Sequence, residues 1–256
     1  MFALNSKECA MSHPYRYVPV ISPAYRVARR IVRRRRYAGA KVYCVVCDRL
    51  FASWLDDKDC GDCPNCESQA RHRFMWSLLE IEWRDKTPPV QLLHIAPEQC
   101  LVRRFRRSPR VARYVTLDRG SPGVDVRADL TATGLPDSSF DAIVCSHVLE
   151  HIPHDLAAIR EMFRLLRRHG VAYVQVPCNQ DSPTTDEDPS VTDPAERERR
   201  FTGFDHVRLY GRDVADRLRG AGFDVTEIRP ADILDSSAIL TGGQWNDVLY
   251  RCERPT

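Results

Sequence analysis

No glycine follows the first buried strand of this sequence. The stretch "VQLLHIAPEQCL" (Val90–Leu101) runs like a strand into a turn, yet Ala96, Pro97 and Glu98 stand where a glycine-rich phosphate loop would stand. A dinucleotide would set its pyrophosphate there, against backbone N–H groups at a helix start. Pro97 has no N–H to donate and Glu98 adds a negative charge, so a phosphate is disfavoured. Long apolar runs are also missing: nothing approaches the ~20 residues a membrane-spanning helix takes. The N-terminus "MFALNSKECAMSHPYRYVPV" lacks the basic-then-apolar order of a signal peptide, and a cytoplasmic location is the expectation. Lysine is scarce, four among 38 basic residues, so the positive charge is almost all arginine.

What is present reads as a globular protein. Of 256 residues 43% are apolar and 29% charged, with a net charge of +3. Nine basic residues and no acid lie between Arg16 and Lys41, centred on "RVARRIVRRRR", and "RRFRRSPRVAR" from Arg103 repeats the pattern. Either run is a solvated helix face or a contact for nucleic acid, an anionic substrate or a membrane surface.

The ten cysteines are unevenly placed: five fall between Cys44 and Cys66. Such crowding suits a metal better than a disulfide framework. "CVVC" and "CPNC", fifteen residues apart, set Cys44, Cys47, Cys63 and Cys66 as two paired knuckles for a tetrahedral ion, read here as one structural zinc. Cys60, three residues before Cys63, is an alternative ligand. His72 falls outside the spacing and is expected to pack or to lie on the surface.

Composition divides the chain into a basic arm and helix (1–40), a four-cysteine module (41–70), a connecting helix (71–86) and a larger domain (87–256), with "KTPPV" as the breaker near residue 87. In the larger domain apolar strands ("QLLHIA", "YVTLD", "VDVRADL", "FDAIVCSHVL", "VAYVQVP") alternate with helices ("EQCLVRRFRR", "DLAAIREMFRLLRRHG"), followed by "RDVADRLRGAG", "DVTEIRP" and "NDVLYRCER". This order predicts an α/β, Rossmann-like, mainly parallel sheet covered on both faces. The helix over 154–169 is expected to run through "RRHG" to a glycine stop. Residues 178–206 are too polar for core and longer than an ordinary connection, which suggests a lid, with "DPAERERRF" as a capped helix inside it.

In such a sheet ligands sit at the carboxyl ends of the strands. Asp118 ends the second strand, 22 residues after Ala96, and its carboxylate suits a ribose diol. A nucleoside without phosphate, bearing a cationic sulfonium and an amino acid end, remains compatible with the turn.

"LLHIAPEQCL", the run from "VDVRADL" to "VAYVQVP", and "DEDPSVTDPAERERRFTGFDHVRLYGRDVADRLRGAGFDV" together resemble a class I S-adenosylmethionine-dependent methyltransferase of the type 11-like bacterial kind that carries an N-terminal cysteine knuckle module. The resemblance covers about residues 42–254 and departs from the usual glycine-rich first motif at the turn. It implies a seven-stranded sheet, with Ile95, Ala96, Pro97 and Glu98 lining the methionine end of S-adenosylmethionine and Asp118 holding the ribose. It further implies Asp129 and Leu130 beside the adenine, and Cys145, Ser146 and His147 beneath the sulfonium; the alternative for Asp129 is a turn cap.

Methyl transfer to oxygen or nitrogen needs the acceptor positioned and a proton removed, a task that suits histidine. His147, His151 and His206 are the candidates, with Glu150 or Tyr210 as substitutes. No metal triad and no Ser-His-Asp order stands out along the chain. The reading preferred is a methyltransferase acting on a small-molecule acceptor, of the secondary-metabolite kind among others. The alternatives are an RNA methyltransferase gripping with its basic arm and cysteine module, and a non-catalytic zinc-containing interaction protein. No aromatic and basic interleaving supports the nucleic-acid alternative.

Overall fold

The computed structural model describes residues 23–55, 61–233 and 248–256; Cys60 lies outside them. A basic helix, α1 (Pro23–Arg36), leads into a short antiparallel pair, β1 (Val42–Cys44) and β2 (Arg49–Phe51). Helix α2 (Ala70–Glu82) leaves the cysteine module, and β3 (Val90–Ile95) and α3 (Gln99–Phe105) begin the large sheet domain. There follow β4 (Val111–Asp118), β5 (Val126–Arg127), β6 (Phe140–Ser146), α4 (Asp155–Leu165) and β7 (Leu166–Gln175). The chain then forms β8 (Asp186–Glu187), α5 (Pro194–Phe201), β9 (Arg208–Leu209), α6 (Val214–Arg219), β10 (Asp224–Ile228), α7 (Pro230–Ile233) and β11 (Leu249–Glu253).

The main sheet has seven strands in the order β10-β11-β7-β6-β3-β4-β5. Only β11 runs against its neighbours, pairing antiparallel with both β7 and β10. The Rossmann-like, mainly parallel expectation holds. Its physical cause is visible in the near-continuous burial of the central strands, whose alternate side chains enter two cores, one on each face. Leu93, Ile95, Ile143, Cys145, Ala172 and Val174 share one core with Ile159 and Met162 of α4 and Leu218 of α6. Leu92, Ala142, Val144, Val171 and Tyr173 face the opposite core.

That second core is continuous with the cysteine module: Cys44, Cys63 and Trp54 belong to it together with Met75, Trp76, Leu79 and Trp83 of α2 or its end. The Trp83 indole N–H donates to the Tyr173 hydroxyl at 3.2 Å, and that hydroxyl donates to Glu82 at 2.5 Å. Helix α2 is thus a wall of the sheet domain as well as the exit of the module.

Two expectations are corrected. The helix over 154–169 stops at Leu165, and "LRRHG" is the start of β7. Leu166 is fully buried opposite Phe140, and Arg167 pairs with Asp141 at 2.9 Å, so packing draws the basic end into the sheet against its helical propensity. "VDVRADL" contributes only Val126–Arg127 as strand, because Asp125 and Asp129 bend the chain at either side with their side chains. No helix among the described residues is long and apolar enough to cross a membrane.

Residues 178–206 are packed down. Asp193 caps α5 by accepting the Glu196 N–H at 2.8 Å, and Arg200 pairs with Asp186 and Asp188. Asp186 and Asp188 therefore serve an arginine of their own segment, while Glu187 pairs with Arg208 and Arg217 beyond it. Strand β8 pairs with β9.

Candidate functional site

The turn after β3 takes the backbone shape of a glycine without the residue. Ala96 has φ +45°, in the left-handed region, and its N–H donates to Leu117 O on β4 at 2.8 Å. Ile95 is buried, while Ala96 and Pro97 are part-exposed at the sheet's carboxyl edge. Glu98 turns inward. Its Oε2 lies 2.7 Å from Nε2 of His94, and its Oε1 lies 3.5 Å from Nε2 of His72 on α2. Burial works against the Glu98 charge, but these two imidazoles outweigh it and hold the pKa well below the usual carboxylate range. His94 in turn contacts the Tyr114 hydroxyl through Nδ1 at 2.9 Å. His72, expected to pack or to be exposed, packs: it is 5% exposed, and burial lowers its pKa to about 4.

Asp118 closes β4. Its Oδ1 accepts the N–H groups of Gly120 and Ser121 at 2.7 and 2.6 Å, which fixes the carboxylate. Its other oxygen has no protein partner among the described residues. Asp129 caps a turn through Oδ1 to the N–H and hydroxyl of Thr131, which lower its pKa, and its Oδ2 is 3.6 Å from Arg119. Leu130 is buried beneath it. Cys145 and Ser146 are buried at the end of β6, and burial pushes the Cys145 thiol well above its ordinary pKa.

The histidines gather where the chain leaves β6. His147 has φ +54°, and its N–H donates to Gln175 O. No α-helix begins there: Leu149–His151 is a single 3₁₀ turn, which places His147 and His151 on either side of Glu150. Glu150 is fully buried, and neither of its oxygens accepts a protein hydrogen bond. Its nearest nitrogens are His147 Nδ1 at 3.4 Å and His151 Nε2 at 4.0 Å. Burial opposes its charge, while these imidazoles hold its pKa below the ordinary value. His206 arrives from the loop before β9, with its ring edge-on to His151 at 4.8 Å between centroids. Gly203 permits this approach, since a Cβ there would meet the His206 ring at 2.5 Å. One ligand atom from each of Glu150, His151 and His206 lies within 4.8 Å of the others. The fold thus brings together, from distant segments, three residues of metal-ligating type that the linear order does not show. Tyr210 is not available as a base, being buried with its hydroxyl donating to Asp155 at 2.8 Å and its pKa pushed well up by burial.

Sequence reasoning missed Arg208. Only 3% exposed, it donates to the carbonyls of Leu149, Ile152 and Pro153 at 2.6–2.9 Å and pairs with Glu187 at 2.9 Å, tying the 149–153 turn to the 178–206 segment. It missed His94 too.

In the cysteine module Cys44 and Cys66 sulfurs are 3.6 Å apart, as are those of Cys47 and Cys63, and all four lie within 4.8 Å of one another. Disulfides would need about 2.05 Å. A tetrahedron with metal–sulfur bonds of about 2.3 Å has edges of about 3.8 Å, so the cluster has the size for one soft cation. Arg73, 1% exposed, donates to Ser68 O at 2.7 Å and stacks over the Trp54 ring at 3.9 Å, putting a positive charge beside the sulfurs.

Residues 94–174 match the family described as "Methyltransferase domain". A Mycolicibacterium smegmatis protein named "Probable S-adenosylmethionine-dependent methyltransferase" is 30% identical over 107 residues, 41% of this chain and 37% of its own length. The chain thus spans little more than a third of that curated relative. Among solved structures, the [4+2]-cyclase SpnF superposes with a TM-score of 0.52 at 14% identity, covering 80% of this chain and 87% of its own. The CurJ carbon methyltransferase superposes with a TM-score of 0.50 at 12% identity, over 72% and 54%. At such identities the likeness shows the fold alone, and one fold can host different chemistries. Residues 94–174 thus match a methyltransferase-domain family, within a sheet whose topology is Rossmann-like.

Proposed function

We propose that this protein is an S-adenosylmethionine-dependent methyltransferase that modifies an oxygen or nitrogen of a small-molecule acceptor, with one structural zinc on Cys44, Cys47, Cys63 and Cys66. The observation that carries the reading is the pairing of two strand ends. The left-handed turn at Ala96 opens the carboxyl edge of β3 without offering a phosphate its N–H groups, and Asp118 presents an unpartnered carboxylate oxygen at the end of β4. Asp118 would hold the ribose, Leu130 and Asp129 would flank the adenine, Ile95 to Glu98 would line the methionine end, and Cys145, Ser146 and His147 would lie beneath the sulfonium. The cofactor supplies an electrophilic methyl on a sulfonium.

The chain's own residues do the rest. Strand β6 and the 149–153 turn form the floor of the acceptor side, Arg208 holds that turn rigid, and the segment over 178–206 acts as its lid. His147, His151 and His206 stand where an acceptor proton would have to leave.

Calorimetric titration of the full chain with S-adenosylmethionine, with NADH as control, tests the reading. Binding of S-adenosylmethionine but not NADH supports it. Failure to bind S-adenosylmethionine overturns it in favour of a non-catalytic interaction protein. A second reading draws on the exposed Arg30, Arg35 and Arg36 of α1, which suit an RNA acceptor. Salt-dependent binding of tRNA or rRNA, lost when these three become Gln, separates it from the first.

A further inference from the structure

We infer that Glu150, His151 and His206 form a second metal site, separate from the four-cysteine cluster, which takes a divalent transition cation through nitrogen and oxygen ligands. Three independent observations converge on it. The first is Glu150: a fully buried carboxylate with both oxygens lacking hydrogen bonds is costly unless something charged completes it. The second is the anchoring of the histidines through their outer nitrogens. His206 Nδ1 donates to Phe201 O at 2.8 Å, and His151 Nδ1 lies 3.4 Å from Asp205 Oδ2. The first contact fixes the His206 tautomer that leaves Nε2 with its lone pair, and the Asp205 carboxylate favours the same tautomer of His151; metal-binding histidines are held in this way by carbonyls and carboxylates. The third is convergence: His151 Nε2 lies 4.0 Å from Glu150 Oε1, and one ligand atom from each of the three falls within 4.8 Å of the rest.

Ligand bonds of about 2.1 Å would need these atoms drawn to roughly 3–3.5 Å, a contraction on the order of 1 Å. His151, whose side chain is 32% exposed, can supply its share, and the packed Glu150 and His206 must close the rest by a small side-chain rotation. Two imidazoles and one carboxylate suit iron(II), cobalt, manganese or zinc, and leave positions open for an outside ligand. His147, with Nδ1 at 3.4 Å from Glu150, flanks the site.

The site lies at the carboxyl edge of the sheet, so under the methyltransferase reading, on which this step rests, the acceptor would be a small molecule whose oxygens chelate the cation. Its hydroxyl would lose its proton to solvent on binding, since a cation lowers the pKa of a coordinated O–H. The histidines would then hold the ion and would not act as bases.

The test uses the full chain loaded with zinc, treated with a mild chelator and titrated with cobalt(II). The expected result is one further equivalent of cobalt, with visible absorption from nitrogen and oxygen ligands and without the intense near-ultraviolet charge-transfer band of cobalt on thiolates. E150Q and H206Q should each weaken cobalt binding at least about 100-fold while the zinc content stays the same. If either variant unfolds, H151N, at the more exposed ligand, decides by the same readout. No further equivalent, undiminished binding in every folded variant, or a spectrum showing only thiolate ligation overturns the site. S-adenosylmethionine is titrated into the same samples. Cofactor binding without cobalt binding refutes only this inference, and cobalt binding without cofactor binding refutes only the methyltransferase reading.

Discussion

Nε2 of His72, on the helix leaving the cysteine module, lies 3.5 Å from the carboxylate of Glu98, on the turn after β3. Nδ1 of the same imidazole accepts the Gln69 N–H at 3.0 Å, so the neutral form carries its proton on Nε2, which makes no hydrogen bond. A second proton would have to displace that cap and charge a buried ring. This is why the pKa falls to about 4 from an ordinary 6.5. The sign follows: between pH 6.5 and 4 the unfolded chain binds the proton and the folded one does not, so stability is complete above 6.5 and declines as pH falls towards 4. The decline should reach about 3 kcal/mol, and His72→Gln should flatten that part of the profile in urea melts taken from pH 7.5 to 4. An unchanged slope in the variant would show that His72 does not titrate as argued.

Ala96 holds the left-handed backbone at a cost of about 1–2 kcal/mol. Ala96→Gly relieves that strain but adds unfolded-state entropy of about 0.5–1 kcal/mol, so its stability should change by less than about 1 kcal/mol. Ala96→Val, β-branched at positive φ, should lose more than about 1 kcal/mol and distort the cofactor edge. Chemical denaturation of the two variants side by side checks the ordering.

The parts of the fold legible in the sequence are those fixed by local chemistry. "LLHI" and "AIVCS" are apolar on both faces and could only be covered strands; Asp193 before "PAERERRF" is a cap in sequence and in space. Legibility failed where tertiary packing outbid propensity, as at Leu166–Gly170. It also failed where burial depends on partners far along the chain. Nothing near Arg208 or Glu98 distinguishes them from surface charges, and only the carbonyls of Leu149 to Pro153 and the imidazoles of His72 and His94 explain their burial. Cys44, Cys47, Cys63 and Cys66 were readable because each knuckle is local. The Glu150 cluster was not, because His206 is brought by a loop more than fifty residues on.

Purified without chelator, the protein should carry about one zinc on the four cysteines, and Cys63→Ser should lower that content. The effect should reach the sheet domain, since Cys44, Cys63, Trp76 and Leu92 share one core. Metal analysis with melting temperature checks both halves. A variant with unchanged zinc and unchanged melting would rule out the four-cysteine site.

Arg208→Met should cost about 3 kcal/mol, the penalty for leaving the carbonyls of Leu149, Ile152 and Pro153 without their donor. For a chain of this size that lowers Tm by roughly 6–12 °C. Asp155 retains Arg217 at 2.8 Å, so the core of α4 should survive and the loss should centre on the 149–153 turn and the 178–206 segment. Hydrogen exchange by mass spectrometry would show increased opening there; uniform exchange across the sheet would argue that Arg208 stabilises the whole domain instead.

Asp118→Ala separates a cofactor contact from a structural one. Its Oδ1 accepts Gly120 and Ser121 N–H groups in an exposed turn, where water can replace it, so folding should suffer little. The unpartnered oxygen is the one assigned to the ribose, and its loss should weaken S-adenosylmethionine binding by about 1.5–3 kcal/mol, the range for a hydrogen bond to a charged group. In calorimetry that is roughly a 10- to 150-fold rise in Kd. Asp118→Asn keeps the turn and one acceptor oxygen, and should fall between Ala and the native chain. If both variants bind the cofactor as the native protein does while melting normally, Asp118 does not hold the ribose, and the strand-end pairing on which the proposed function stands loses its second half.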